Sequence, residues 1–103
     1  MKHDILDKNE FNISDLAKIV KKQTQTIRSY ERKGIINKPD KKASNGWRVY
    51  SKSDLANTLE NILNYNWQRN VIKNESEIKQ IIEYLRGNVD KSTFNILSEN
   101  MNE

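Results

Sequence analysis

The chain has 103 residues, 35% of them hydrophobic, with a mean hydropathy of −0.92, which leaves room for one domain around one modest core. It has no cysteine and a single histidine, His3, so disulfides are excluded and any zinc site is confined to nitrogen and oxygen ligands. Its net charge is +4, yet the window Lys18 to Lys52 holds eleven Lys or Arg against two acids, Glu31 and Asp40, giving +9 there and −5 elsewhere. A basic module set in an acidic remainder is the footprint of a polyanion-binding surface. No apolar run approaches the roughly 18 residues that span a membrane, and no signal-peptide core opens the chain, so a cytoplasmic protein is expected.

Residues 1–10 read as a loose arm or short helix, and Phe11-Asn12-Ile13 alternates as a short strand would. Ser14 is a candidate N-cap, with Asp15 favoured in the first turn by the helix dipole. Leu16, Ala17, Ile19 and Val20 then form the stripe of a first helix. Lys21-Lys22 interrupts it, and a second helix is expected from about Gln23 to Lys33, with Ile27 and Tyr30 facing inward. Its outer face carries Thr24, Gln25, Arg28, Ser29 and Arg32 without an acid. Gln pairs with adenine and Arg with guanine in the major groove, and Thr can touch a thymine methyl.

Gly34 is placed to end that helix, and Ile35-Ile36 returns the chain to the core. Asn45-Gly46 is the strongest short hairpin signal, flanked by arms Asp40–Ala43 and Trp47–Ser51. Alternation puts Trp47 and Val49 on one side and Arg48 and Tyr50 on the other, with Lys41, Lys42, Ser44 and Asn45 at or near the tip. This is a wing with a basic end. Ser51-x-x-Asp54 opens a third helix with apolar Leu55, Leu59, Ile62 and Leu63. Asn74 and Glu77 start a fourth, carrying Ile78, Ile81, Ile82 and Leu85 and ending at Gly87-Asn88. A last short helix, 92–101, is expected to present Phe94, Leu97 and Met101.

With Ile13-Ser14-Asp15-Leu16-Ala17-Lys18, Thr26-Ile27-Arg28-Ser29-Tyr30-Glu31, Lys33-Gly34-Ile35-Ile36 and Gly46-Trp47-Arg48-Val49-Tyr50-Ser51 leading into Asp54-Leu55, the chain resembles the DNA-binding half of MerR-type regulators. The likeness runs through about residues 11 to 86 in order and spacing. It implies a winged helix-turn-helix, mainly α with a small β-hairpin wing. It also implies that Arg28 and the outer helix face approach the major groove, while Arg48, Tyr50 and the wing grip backbone and minor groove. Where the family pattern has a Gly and an apolar residue in the turn, this chain has Lys21 and Lys22. Since burying an unpaired ammonium costs several kcal/mol, the turn is expected to splay outward, leaving the wing at least as important as the second helix.

The expected organisation is an arm over 1–10, a DNA-binding module over 11–73 and C-terminal helices over 74–103. The DNA-binding set is Lys22, Thr24, Gln25, Arg28, Ser29, Arg32, Lys41, Lys42, Ser44, Asn45, Arg48 and Tyr50. A homodimer is expected through Ile78, Ile81, Ile82, Leu85, Phe94, Leu97 and Met101, more apolar surface than so small a fold covers alone. The basic core has two scattered acids and no His, which argues against a nuclease or hydrolase. No cofactor or metal is expected. The partners are double-stranded DNA, a second copy, and a larger DNA-processing protein if the role is accessory. The resemblance to small relatives on plasmids, phages and conjugative elements points to a DNA-processing accessory (transfer origin, excision or partition). The alternatives are a small transcription repressor and a protein-interaction adaptor.

Overall fold

In the computed structural model, residues 8–39, 42, 46 and 48–90 are described. The elements are β1 (Glu10–Phe11), α1 (Ile13–Val20), α2 (Thr24–Arg32), β2 (Tyr50–Ser51), α3 (Lys52–Arg69) and α4 (Glu75–Leu85). The protein is a single, mainly helical winged helix-turn-helix domain. Its two strands pair antiparallel in the register Glu10↔Ser51 and Phe11↔Tyr50. Ahead of β2, an antiparallel bridge between Lys42 and Arg48 holds the wing together.

One core joins every element. Phe11, Leu16, Ile27, Leu55, Leu59, Ile62 and Ile78 are fully buried within it. Full burial of one such side chain contributes about 1.5–3 kcal/mol. Ile36 enters as the spacing predicts, and Ile72 reaches the core from the α3–α4 connection. That connection is fixed by Asn66, whose Oδ1 accepts from the Ile72 amide at 2.6 Å and whose Nδ2 donates to the Ile72 carbonyl and to Glu75.

The helix ends show which local signals prevailed. Ser14 lies inside α1, and Asn12 is its cap: Asn12 Oδ1 accepts from the Asp15 amide at 2.9 Å while Asp15 Oδ2 accepts from the Asn12 amide at 3.1 Å. The capping box therefore starts two residues earlier than Ser14, because the strand ends at Phe11. Ser51 caps α3 as expected, its Oγ accepting from the Asp54 amide at 3.1 Å. Asn74 holds the N-cap position of α4 as expected, but its side chain makes no capping bond to the helix amides; its Nδ2 donates to the Ile19 carbonyl at 2.8 Å and to Glu77, tying α4 to the end of α1. Gly34 ends α2 with φ +77, the Gly34 amide donating to the Glu31 carbonyl and the Ile35 amide to the Tyr30 carbonyl.

Two expectations are corrected here. The Lys21-Lys22 turn does not splay: Lys21 adopts a left-handed conformation at φ 58, and the Lys21 and Lys22 amides donate to the Lys18 and Ala17 carbonyls at 3.3 and 3.0 Å. This is the closure that a Gly would make, with the side chain left outside. The ammonium is never buried, so the penalty that would have opened the turn does not arise. Ile78, Ile81, Ile82 and Leu85 do not form a spare apolar surface; at 0–7% exposure they lie in the protomer's own core, where α4 packs along α3. Phe94, Leu97 and Met101 lie outside the described residues.

Candidate nucleic-acid interface

α2 turns Ile27 and Tyr30 into the core, the Tyr30 ring meeting that of Tyr65 at 5.6 Å between centroids. That fixes the rotation of the helix about its axis. Gln25, Arg28 and Arg32 are consequently exposed, with Thr24 and Ser29 half-buried beside them and Lys22 half-buried just before the helix. Gln23 at the N-cap makes no side-chain bond to the helix, and the first turn contains no acid. The first amides of α2 and the positive end of its dipole are therefore open to an anion.

The wing supplies the second half of the surface. Lys42 and Arg48 face one another across the bridge and both are exposed. Like charges directly opposite on a ribbon repel, so this pair is better accommodated when an anion lies over it. Lys41, Ser44 and Asn45 lie outside the described residues.

Helix and wing meet at a cleft of about 140 Å³ lined by Asn12, Ile13, Arg28, Glu31, Pro39, Arg48 and Tyr50. Arg28 and Arg48, twenty residues apart in sequence, thus open onto the same space. Tyr50 is a correction to the expected set of DNA contacts. The alternation that would place it outward beside Arg48 ends where β2 pairs with β1 and meets α3, and only 2% of its surface is exposed. It forms the floor of the cleft. Burial chiefly, and the Glu31 carboxylate in addition, push its phenol up to about 12 against the opposing pull of Arg48. Near neutral pH the phenol is uncharged with or without that shift, so it places no negative charge beneath an incoming phosphate.

Sequence reasoning missed Asn12, Ile13, Glu31 and Pro39 as cleft residues. Only Glu31 carried a signal, as one of two acids in the basic window. It lines the same cleft as the two arginines and acts on the Tyr50 phenol. Lys21 is drawn away from this face, its Nζ 3.8 Å from Glu77 Oε1 on α4.

The family model described as MerR HTH family regulatory protein matches residues 11–63, the stretch from β1 through the first two-thirds of α3. The chain belongs to this MerR helix-turn-helix family of regulators. A curated Haemophilus influenzae protein, named a probable heavy metal-dependent transcriptional regulator, is 48% identical over 44 residues. That match covers 43% of this chain and spans 34% of the relative's length. No solved structure matches significantly. The matched stretch contains the helix-turn-helix, formed here by α1, the Lys21–Gln23 turn and α2. No helix among the described residues is long and apolar enough to cross a membrane.

Proposed function

We propose that this MerR-family chain is a sequence-specific double-stranded DNA binder with no chemistry of its own, acting as a small transcription repressor. The observation that carries this reading is the convergence of Arg28 from α2 and Arg48 from the wing on one cleft floored by a neutral Tyr50. In this reading α2 enters the major groove, where Gln25 and Arg28 address base edges and Thr24, Ser29, Arg32 and Lys22 hold position. The wing, with Lys42, Arg48 and the adjoining Lys41, Ser44 and Asn45, follows the backbone into the neighbouring minor groove. A protein so seated on a promoter blocks it by occupancy.

The curated relative's name supports transcription control over the accessory role at a transfer origin, excision site or partition site. Two copies on repeated half-sites are part of the proposal. Because the apolar face of α4 is used inside the protomer, the expected pairing through Ile78, Ile81, Ile82 and Leu85 falls away, and Phe94, Leu97 and Met101 remain as the candidates for it. Footprinting on the host replicon tests all of this. Protection of paired half-sites across a promoter is expected. Protection confined to a transfer or recombination site would move the function to the accessory role and add a larger DNA-processing protein as partner. Absence of any salt-sensitive gel shift would reject DNA binding and leave the interaction adaptor.

A further inference from the structure

The cleft between α2 and the wing sets an acid between two cations. Glu31 follows Arg28 by three residues, so the two side chains leave α2 as neighbours on its surface, and Arg48 opens onto the same space from the wing. Glu31 is the only acid in α2. Its carboxylate is half-buried and is felt by the Tyr50 phenol on the cleft floor, which directs it into the cleft rather than out to solvent. Opposite charges at this spacing commonly close into an ion pair. Among the described residues neither arginine pairs with Glu31. Both guanidiniums are thus left exposed for an outside partner, with an uncompensated carboxylate beside them.

A DNA duplex offers such a cleft two kinds of partner. Phosphate oxygens draw any arginine, whatever the sequence. Guanine presents O6 and N7 to an arginine, and the cytosine paired with it presents an N4 amino group that donates to a carboxylate. Arg28 can take either partner, and the choice decides whether it reads sequence or only holds the backbone. Glu31 biases that choice. A phosphate drawn to Arg28 meets the carboxylate next to it, whereas a G·C edge meets Arg28 with its acceptors and Glu31 with its donor. Arg48 belongs to the wing, so it can follow the backbone while Arg28 stays on the bases. Discrimination of this kind depends on a repulsive element set against the wrong partner.

We propose that Glu31 is a specificity-determining residue: it excludes phosphate from the Arg28 side of the cleft and so keeps Arg28 on base edges. The inference rests on the DNA-binding reading above but not on the choice between repressor and accessory.

Binding of the full chain to a scrambled duplex, measured across salt, tests it without knowledge of the site. Glu31→Gln should tighten that binding about tenfold, which is about 1.4 kcal/mol. It should also steepen the slope of log K against log salt by about 0.9, for one phosphate gained. Glu31→Ala should do the same. Glu83→Gln makes an equal charge change on α4 and should leave both quantities near wild type. In an Arg28→Ala background the gain from Glu31→Gln should vanish, because Arg28 is the group that takes the phosphate. On the footprinted duplex Glu31→Gln should improve affinity far less, so the ratio of specific to scrambled binding falls. Glu31→Asp keeps the charge and should keep the ratio. Thermal melts check that each variant folds.

A gain from Glu83→Gln equal to that from Glu31→Gln, or a gain that survives Arg28→Ala, would reduce Glu31 to net charge and overturn the proposal. Affinity lost on both duplexes with Glu31→Gln would make the carboxylate a support of the site and overturn it equally. Absence of salt-sensitive binding by the wild-type chain would remove the DNA-binding reading and this inference with it. Wild-type binding with an unmoved ratio would remove this inference alone.

Discussion

Replacing Lys21 by glycine separates the two accounts of the helix-turn-helix turn. Lys21 holds φ 58 in the closure of α1, a conformation that costs a residue with a Cβ about 1–2 kcal/mol relative to the right-handed region. Lys21→Gly removes that strain. Against it stand the greater freedom of glycine in the unfolded chain, about 0.4–1 kcal/mol, and the loss of an ion pair to Glu77. That pair is long at 3.8 Å and its lysine side chain is 60% exposed, so it contributes no more than about 0.5 kcal/mol. The balance is a gain of about 0.5 kcal/mol, which for a domain of this size raises Tm by about 2–4 °C. Thermal unfolding followed by helical circular dichroism reads it directly. DNA affinity and its salt slope should stay as they are, because Lys21 points to α4 and not to the α2 face. A lowered Tm would show that the turn is not strained at Lys21. A salt slope reduced by about 0.9 would show that this lysine contacts a phosphate after all.

Four further outcomes follow from the same geometry. Arg48→Ala should lower the slope of log K against log salt by about 0.9 for one lost phosphate contact, while Arg28→Ala should cost about 1–3 kcal/mol of binding and relax base preference; a loss confined to either residue would mean the cleft is not shared. Asn12→Ala should destabilise the fold by about 1 kcal/mol in denaturant unfolding while Ser14→Ala stays near neutral; the opposite order would restore Ser14 as the cap. The raised phenol of Tyr50 stabilises the fold fully below its ordinary value of 10.0, and that contribution is lost as pH climbs towards about 12. Tyr50→Phe should therefore shift the midpoint of alkaline unfolding upward; an unchanged midpoint would remove Tyr50 as the titrating group. Asn74→Ala removes the bonds to the Ile19 carbonyl and to Glu77 together, so amide exchange should quicken at the α1–α4 junction; unchanged protection there would mean the amide does not hold the two helices.

The sequence alone determined the helix-turn-helix, the basic face and the α3 cap, because each rests on signals a few residues apart. The spacing of Ile27 and Tyr30 fixes which side of α2 is buried and so leaves Gln25, Arg28 and Arg32 outside. Gly34 could be read as a stop because a left-handed residue there is needed whatever the rest of the fold does. Tertiary structure decided the rest. Tyr50 is covered by the following α3 and by β1, whose Phe11 lies about forty positions earlier in the chain, a contact that no local pattern records. The apolar stripe of α4 could have faced a second copy as readily as α3; only the docked helix, held by Asn74 and Arg86, shows that it is used within the chain. From sequence, a lysine in the turn implies a buried ammonium and so an open turn. The backbone separates the two, closing the turn at Lys21 while the charged end stays in solvent within reach of Glu77. Arg28 and Arg48 could each be nominated from sequence as cations, but their meeting over one cleft depends on β2 bringing the wing back beside α2, and that is a property of the folded chain.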